Sequence, residues 1–153
     1  RVIWKFNLMS DFIPESKYQE ILNLIPIFCV DFLIKKRDKV LLIKRNQEPL
    51  KGVYWFPGGR LRLYEDMDDF AKRIQLSEIG IYFDNYKLVG FFNYFFNKSK
   101  FSRALHTPTL LYEVKVDKYF VPKIDGNHTD FIWSENLPKE FKNFEKFSNL
   151  KFL

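Results

Sequence analysis

Carboxylates, arginines and histidines are the side chains that can bind a phosphate or a metal and move a proton, and this sequence places candidates in a few short segments. Glu65 and Glu78 fall in segment 59–81. Asp31 stands inside an apolar run, where an unpaired carboxylate is costly to bury, so we interpret it as a functional residue. His128, one of two histidines, follows a short polar stretch and is a candidate proton acceptor near neutral pH.

The spacing in segment 59–81 resembles the Nudix box, G-x5-E-x7-R-E-U-x-E-E-x-G-U, in which U is a bulky apolar residue. The matching positions are Gly59, Glu65, Arg73, Glu78, Gly80 and Ile81. Ile74 and Ser77 replace two of the three glutamates in the R-E-U-x-E-E part, and Gln75 stands at an apolar position. The resemblance implies an α/β protein with the Nudix α/β/α sandwich, a mixed sheet between helices, and the activity of a magnesium-dependent hydrolase.

Glu78 is the carboxylate that remains on the metal-binding face of the predicted box helix. Residues at i, i+3 and i+4 share one face of a helix, so three family glutamates can hold several divalent ions together. A face with one carboxylate can hold one Mg²⁺ if backbone carbonyls, a side-chain amide and a bound diphosphate complete the oxygen ligands. We therefore expect one Mg²⁺ per active site, with Mn²⁺ as a substitute.

A second similarity, from about Ile25 to Trp133, is to a Nudix subgroup, the GDP-mannose mannosyl hydrolases, which also lack these two box glutamates. The stretches that carry it are Val30–Ile34, Leu41–Arg45, Tyr54–Arg60 and Asn127–Asp130. The subgroup cleaves the C1–O bond of a nucleotide sugar by water attack at the anomeric carbon and releases GDP. The resemblance implies a nucleoside-diphosphate sugar as the substrate, with GDP-mannose or GDP-glucose favoured.

The subgroup resemblance also implies a metal site and a base. The metal ligands would be the Gly58 carbonyl, Glu78 and the amide of Asn127. The subgroup has a glutamine at the position of Asn127, which is one methylene shorter. Because the box glutamates are lost, His128 would be the general base that takes a proton from the attacking water.

The same resemblance implies a set of substrate-binding residues. Arg45 and Arg60 would neutralise the departing GDP, since a guanidinium matches phosphate oxygens in shape and charge. Asp31 matches an acidic position that acts near the sugar. Tyr94 and Thr109 complete the set, and Thr109 stands where the subgroup has a tyrosine.

Two other functions remain open from the sequence. One is a conventional Nudix pyrophosphohydrolase that cleaves the P–O–P bond of ADP-ribose or a nucleoside triphosphate, with Glu135, Glu113 or another carboxylate as the base. The other is a degenerate, non-catalytic Nudix module that binds a nucleotide or RNA. The net charge of +6 is compatible with such a module, but the retained Glu78 and His128 argue against it.

Hydrophobic periodicity places these residues on strands and helices of one domain. Strand patterns cover residues 27–34, 40–44, 53–56, 86–96, 109–116 and 131–133. Helical patterns cover 66–78, 18–24 after a capping-box pattern at Ser16, and part of 137–153. Segments 97–108 and 118–130 are predicted to be connections. Glu65 and Arg73 would form a structural ion pair that braces a loop against the box helix.

Composition and charge limit the partners and the compartment. With 153 residues, 46% hydrophobic and 29% charged, the chain is predicted to be a single Nudix domain over 1–153, with 1–25 as an N-terminal extension that includes the short helix. No apolar run approaches the roughly 20 residues of a membrane span, and the positive charge favours an anionic partner without selecting nucleic acid. The lone Cys29 excludes an intramolecular disulfide, which favours the cytoplasm. A homodimer is expected because the family often dimerises.

Overall fold

The computed structural model describes residues 13–96, 105–139 and 141. This part of the chain forms one mixed sheet with two α-helices, α1 (Glu15–Leu24) and α2 (Met67–Ile79). The strands are β1 (Cys29–Lys36), β2 (Lys39–Arg45), β3 (Tyr54–Trp55), β4 (Gly58–Arg60), β5 (Lys87–Phe96), β6 (Leu105–Lys115) and β7 (His128–Ser134). The predicted α/β class with a mixed sheet is confirmed. Neither helix is long and apolar enough to cross a membrane.

β1 is the central strand, and its pairing determines where the site forms. The strand order is β3-β2-β1-β6-β5, with β4 added beside β1 and β7 beside β2. β6 runs parallel to β1 along one edge. The other edge is shared, because β2 pairs with Lys35 and Lys36 whereas β4 pairs with residues 29–31. This division brings the glycine-rich β4 directly beside Asp31.

The two faces of β1 pack against different parts of the molecule, because successive side chains of a strand point to opposite faces. Val30, Phe32 and Ile34 are fully buried and belong to a core that includes Phe70 of α2. Leu33 faces the other side and packs against a second core. The buried aromatic residues of this second core are Trp55, Phe56, Phe92 and Phe141.

Both ends of α2 are determined by local sequence. The Asp66 carboxylate accepts a hydrogen bond from the Asp69 N–H at 2.9 Å and caps the first turn. Gly80 ends the helix in the left-handed conformation at φ 79°, which a residue without a Cβ adopts at little cost. The predicted helix over 66–78 is therefore confirmed to within a residue.

The start of α1 differs from the prediction, since the capping box at Ser16 does not form. Pro14 precedes the first helical residue, and no side chain caps the helix. The Tyr18 N–H donates to the Pro14 carbonyl at 2.9 Å, and this bond closes the first turn two residues earlier than predicted. A proline with its fixed φ is well suited to the beginning of a helix, so Ser16 lies within the first turn.

Two predicted connections are partly strand. β6 begins at Leu105, so residues 105–108 pair with β5, whereas 97–104 lie outside the described residues. Pro108 is tolerated there because pairing of β6 with β1 begins only at Thr109, and the missing N–H of Pro108 interrupts none of those bonds. β7 begins at His128 rather than residue 131. Most of the predicted C-terminal helix lies outside the described residues.

Candidate active site

A cavity of about 170 Å³ opens on the face of the sheet opposite α2. The sheet register places Cys29 of β1, Thr109 of β6 and Phe92 of β5 side by side in its lining. The predicted site residues that line it together are Asp31, Arg45, Gly58, Arg60, Tyr94 and Thr109. The other predicted site residues, which do not line this cavity, are Glu78, Asn127 and His128.

Asp31 lies in the cavity wall with its carboxylate buried. The Trp55 indole N–H donates to Asp31 Oδ2 at 3.1 Å. Burial raises the pKa of Asp31 to about 7, against the opposing effects of the Trp55 hydrogen bond and the charge of Arg45. Gly58 packs so closely that a Cβ at this position would clash with the Asp31 carboxylate, so only glycine allows this approach of β4. Burial of Asp31 therefore disfavours the ionised form of its carboxyl group.

Asp31→Asn should raise the thermal stability of the metal-free protein at pH 8 and change it little at pH 4. An aspartate ionises near pH 3.9 in the unfolded chain and near 7 here, so wild-type stability falls as pH rises between these values, by at most about 4 kcal/mol. Asparagine keeps an acceptor for Trp55 and removes that cost. Thermal unfolding in EDTA at both pH values tests this, with the exposed Asp84→Asn as control. A less stable Asp31→Asn protein at pH 8 would contradict the interpretation.

Glu78 connects α2 to β4. The Gly58 N–H donates to Glu78 Oε2 at 2.9 Å. Burial raises the pKa of Glu78 to about 8; the Gly58 hydrogen bond lowers it, and the charge of Asp125 raises it further. The hydrogen bond places Glu78 beside Gly58, the residue whose carbonyl is the other predicted metal ligand here.

The substituted positions of the box have structural roles. Ile74 is buried in the core that includes Phe70, and the Ser77 hydroxyl donates to the Ile74 carbonyl at 3.1 Å. Gln75 is fully buried, and its amide exchanges two hydrogen bonds with the backbone of Phe83, at 2.9 and 3.3 Å. The polar side chain at this apolar box position is therefore fully paired, and it fixes the chain that follows α2.

Glu65 and Arg73 form the structural ion pair that the sequence predicts. Arg73 Nε and Nη2 donate to the two Glu65 carboxylate oxygens at 2.5 and 2.7 Å. Arg73 Nη2 also donates to the Arg60 carbonyl at 3.2 Å, and Glu65 accepts from the Arg62 N–H at 2.9 Å. The paired groups hold the loop after β4 against α2, which positions Arg60 at the cavity.

Arg45 and Arg60 reach the cavity from different strands. Arg45 Nε donates to the Pro49 carbonyl at 2.7 Å, and this bond holds the guanidinium at the cavity wall. The guanidinium carbon of Arg60 lies 5.4 Å from the ring centroid of Tyr18, a residue of α1 that also lines the cavity. Two cations beside one buried carboxylate make this wall suitable for an anionic group such as a diphosphate.

Asp125 is a residue of the site that the sequence analysis missed. Its Oδ1 lies 2.6 Å from Nδ1 of His128, whose side chain is only 6% exposed. Asp125 also accepts hydrogen bonds at 3.1 Å from the backbone and side-chain nitrogens of Asn127. Aspartate commonly bonds the N–H two residues later in a turn, so the Asp-Gly-Asn sequence before His128 is a signal that could have revealed it.

His128 and Asn127 are placed differently relative to the cavity. His128 is paired in the β2–β7 ladder with Arg45, so the imidazole–carboxylate pair lies beside a residue of the cavity lining, although neither His128 nor Asp125 lines the cavity itself. Asn127 is exposed, and its Oδ1 accepts from Gln47 Nε2 at 3.2 Å. The amide of Asn127 is thus engaged by Gln47 and Asp125, but its oxygen retains a second lone pair.

The two carboxylates named as bases for P–O–P cleavage are engaged elsewhere. Glu113 pairs with Lys35 at 2.6 Å, and Glu135 with Lys39 at 3.4 Å, both near the turn between β1 and β2. Neither lines the cavity. Among the described residues, Asp31 is the acidic side chain in the cavity lining, whereas Glu78 contacts Gly58 of that lining and Asp125 contacts His128.

Proteins of similar sequence have names that belong to glycan and nucleotide chemistry. The chain is 27% identical over 131 residues to the Low-salt glycan biosynthesis protein Agl8 of Haloferax volcanii, a match over 76% of this chain and 84% of that protein. It is 38% identical over 66 residues to the ADP-ribose pyrophosphatase of Methanocaldococcus jannaschii, over 43% of this chain and 38% of that protein. No protein-family model matches the chain.

Solved structures resemble the chain over most of its length. A MutT protein from Methanosarcina mazei matches with a TM-score of 0.65 and 22% identity, over 84% of this chain and 99% of that one. The NUDIX domain of Shewanella oneidensis NrtR, solved with ADP-ribose, matches with a TM-score of 0.58 and 17% identity, over 79% and 82%. A Francisella tularensis NMN adenylyltransferase/ADP-ribose pyrophosphatase, solved with AMP and a manganese ion, matches with a TM-score of 0.52 and 19% identity, over 84% and 40%.

Proposed function

Because the chain has the Nudix fold, we propose that it is a metal-dependent hydrolase of a nucleoside diphosphate joined to a second group. The observation that carries this proposal is the cavity, in which Arg45, Arg60 and Asp31 lie beside the contact between Gly58 and Glu78. The arginines would bind the diphosphate through their guanidinium donors. His128, held by Asp125 at one ring nitrogen, would accept a proton from the attacking water at the other.

The residues around Glu78 fit a single hard divalent cation. No three acidic, histidine or cysteine side chains converge on one point in the described part of the chain, so a cluster of ions would lack ligands. One Mg²⁺ or Mn²⁺ needs only one or two carboxylates if carbonyl, water and phosphate oxygens complete its shell. Glu78 and the Gly58 carbonyl would hold it, with the amide oxygen of Asn127 as a further ligand. Bound there, the metal would neutralise charge on the diphosphate.

ADP-ribose, with cleavage of its P–O–P bond, is the first candidate substrate. One similar protein is named an ADP-ribose pyrophosphatase, and a domain of the same fold was solved with ADP-ribose. These likenesses favour the conventional Nudix reaction over the mannosyl hydrolase reaction that the sequence analysis preferred. The base in this reaction would then be His128, since Glu113 and Glu135 are paired away from the cavity.

Hydrolysis of GDP-mannose at C1 is the second candidate, and a specific observation favours it. The box helix retains only Glu78, and the imidazole–carboxylate pair lies beside Arg45. In this arrangement the imidazole of His128 would activate the water in place of a box glutamate. The likeness to a glycan biosynthesis protein is compatible with a nucleotide-sugar substrate.

Turnover of the two substrates tests the proposed function. With MgCl₂ we expect ADP-ribose to give AMP and ribose 5-phosphate, and we expect EDTA to abolish the reaction because the Glu78 site would be empty. Chromatography of the products, with MnCl₂ restoring activity after chelation, measures both effects. Release of GDP and mannose instead would establish the second candidate. Absence of metal-dependent turnover on both substrates, and on nucleoside triphosphates, would favour a binding module.

A further inference from the structure

α1 meets the rest of the molecule at the cavity, although the sequence assigns it to an extension. None of its ten residues, all of which the structure describes, is buried. Tyr18 nevertheless lines the cavity, and its ring lies 5.4 Å from the guanidinium carbon of Arg60. Burial raises the pKa of the Tyr18 phenol, which agrees with a ring turned inwards. The helix therefore contributes an aromatic ring to the site rather than a side chain to the core.

A strip of aromatic side chains on β5 lines the same cavity. Phe92, Tyr94 and Phe96 alternate along β5 and so project from one face of the sheet. Tyr94 contacts Trp55 and Phe96, with ring centroids 5.4 and 4.3 Å apart. Tyr94 and Phe96 are only half-buried, so part of this strip remains open to a ligand.

Aromatic rings on separate elements, together with two arginines, suit a ligand that has a planar ring and an anionic group. Every nucleobase has a π face, and stacking on aromatic side chains tolerates any base. The Thr109 hydroxyl in the lining already donates to the Thr107 carbonyl at 3.1 Å, so it could only accept a hydrogen bond from a base. Stacking is therefore the better-supported way for this cavity to hold a base.

We propose that Tyr18 binds the base of the nucleotide by stacking, with the aromatic strip of β5 as the other wall and Arg45 and Arg60 on the diphosphate. This inference rests on the proposed function, since it needs a nucleotide in the cavity. A purely structural role is the competing explanation: Tyr18 would anchor α1 through Arg60. That role predicts equal effects on ligands with and without a base, whereas stacking predicts an effect only where a base is present.

Calorimetric titration with matched ligands separates these explanations. The nucleotide probes are the α,β-methylene analogues of ADP and GDP, which resist P–O–P cleavage, and the base-free probe is methylenediphosphonate, all with MgCl₂. Tyr18→Leu should weaken binding of both nucleotide analogues by about 5- to 150-fold. It should leave methylenediphosphonate binding within about twofold, and Tyr18→Phe, which keeps the ring, should bind all three probes nearly as wild type does. Leu24→Ala, at an 80% exposed position of the same helix, is the control.

The outcomes identify which claim fails. Unchanged nucleotide binding in Tyr18→Leu, or an equal loss for the base-free probe, would overturn the stacking role and leave the proposed function standing. A wild-type protein that binds none of the three probes would overturn both. If circular dichroism shows that Tyr18→Leu loses helix, Tyr94→Leu, in the aromatic strip of the same cavity, replaces it as the test variant. In that variant, weaker binding of the nucleotide analogues alone supports stacking, and unchanged binding or an equal loss for all three probes overturns it.

Discussion

Glu78→Gln should lower kcat by at least about a hundredfold while the protein remains folded. Glutamine keeps an oxygen that can accept the Gly58 N–H, so the contact between β4 and α2 survives. The variant loses the one carboxylate that the box helix retains at its three glutamate positions, and an amide cannot ionise to bind the metal. Because the substituted positions Ile74 and Ser77 provide no replacement carboxylate, metal binding should weaken together with turnover.

Steady-state kinetics over a range of MgCl₂ concentrations measures the effect, and electron paramagnetic resonance of added Mn²⁺ measures metal binding independently. Glu20→Gln, an exposed substitution of the same type on α1, is the control and should match the wild type. If Glu78→Gln retains wild-type turnover with an unaltered dependence on Mg²⁺, the proposed metal site is wrong.

The second large effect is expected for His128→Gln, with a loss in kcat of about 10²–10⁴-fold, the range typical of a general base. KM should change much less, because the imidazole would contact the attacking water and not the diphosphate. Asp125→Asn should share part of the loss, since it weakens the bond at 2.6 Å that orients the ring.

His106→Gln is the matched control, because His106 stacks on Phe95 and contacts Asn93 on the outer part of β5. It should leave kcat nearly unchanged. A His128→Gln enzyme that loses tenfold or less would mean that His128 only supports its loop, and the base would then have to be sought among the carboxylates near the cavity.

Local sequence was sufficient to predict the elements whose ends are fixed by their own residues. α2 is the clearest example, because Asp66 caps it and Gly80 ends it in the left-handed conformation. The central strands β1 and β2 follow from continuous aliphatic runs. Strand ends were less predictable: β6 begins three residues before Pro108, because the proline lies ahead of the pairing with β1 and interrupts none of those bonds.

The site was predictable where a motif fixes spacing and unpredictable where chain folding brings distant residues together. The box spacing indicated Glu78 and the ion pair of Glu65 with Arg73. The contact of Tyr18 with Arg60 joins residues from an apparent extension and a loop, and no local pattern indicates it. Asp125 belongs to no spacing motif, and its contact with His128 depends on the turn that brings its carboxylate to the ring three residues later.

Identification of the bond that is broken is the most direct test of the proposed function. Hydrolysis of ADP-ribose and of GDP-mannose in H₂¹⁸O with MgCl₂ can be followed by mass spectrometry of the products of each reaction. We expect ¹⁸O on a phosphate of AMP or ribose 5-phosphate, because water would attack phosphorus in the diphosphate held by Arg45 and Arg60. Unlabelled GDP released with labelled mannose, and no turnover of ADP-ribose, would contradict P–O–P cleavage and assign the enzyme to attack at the sugar carbon.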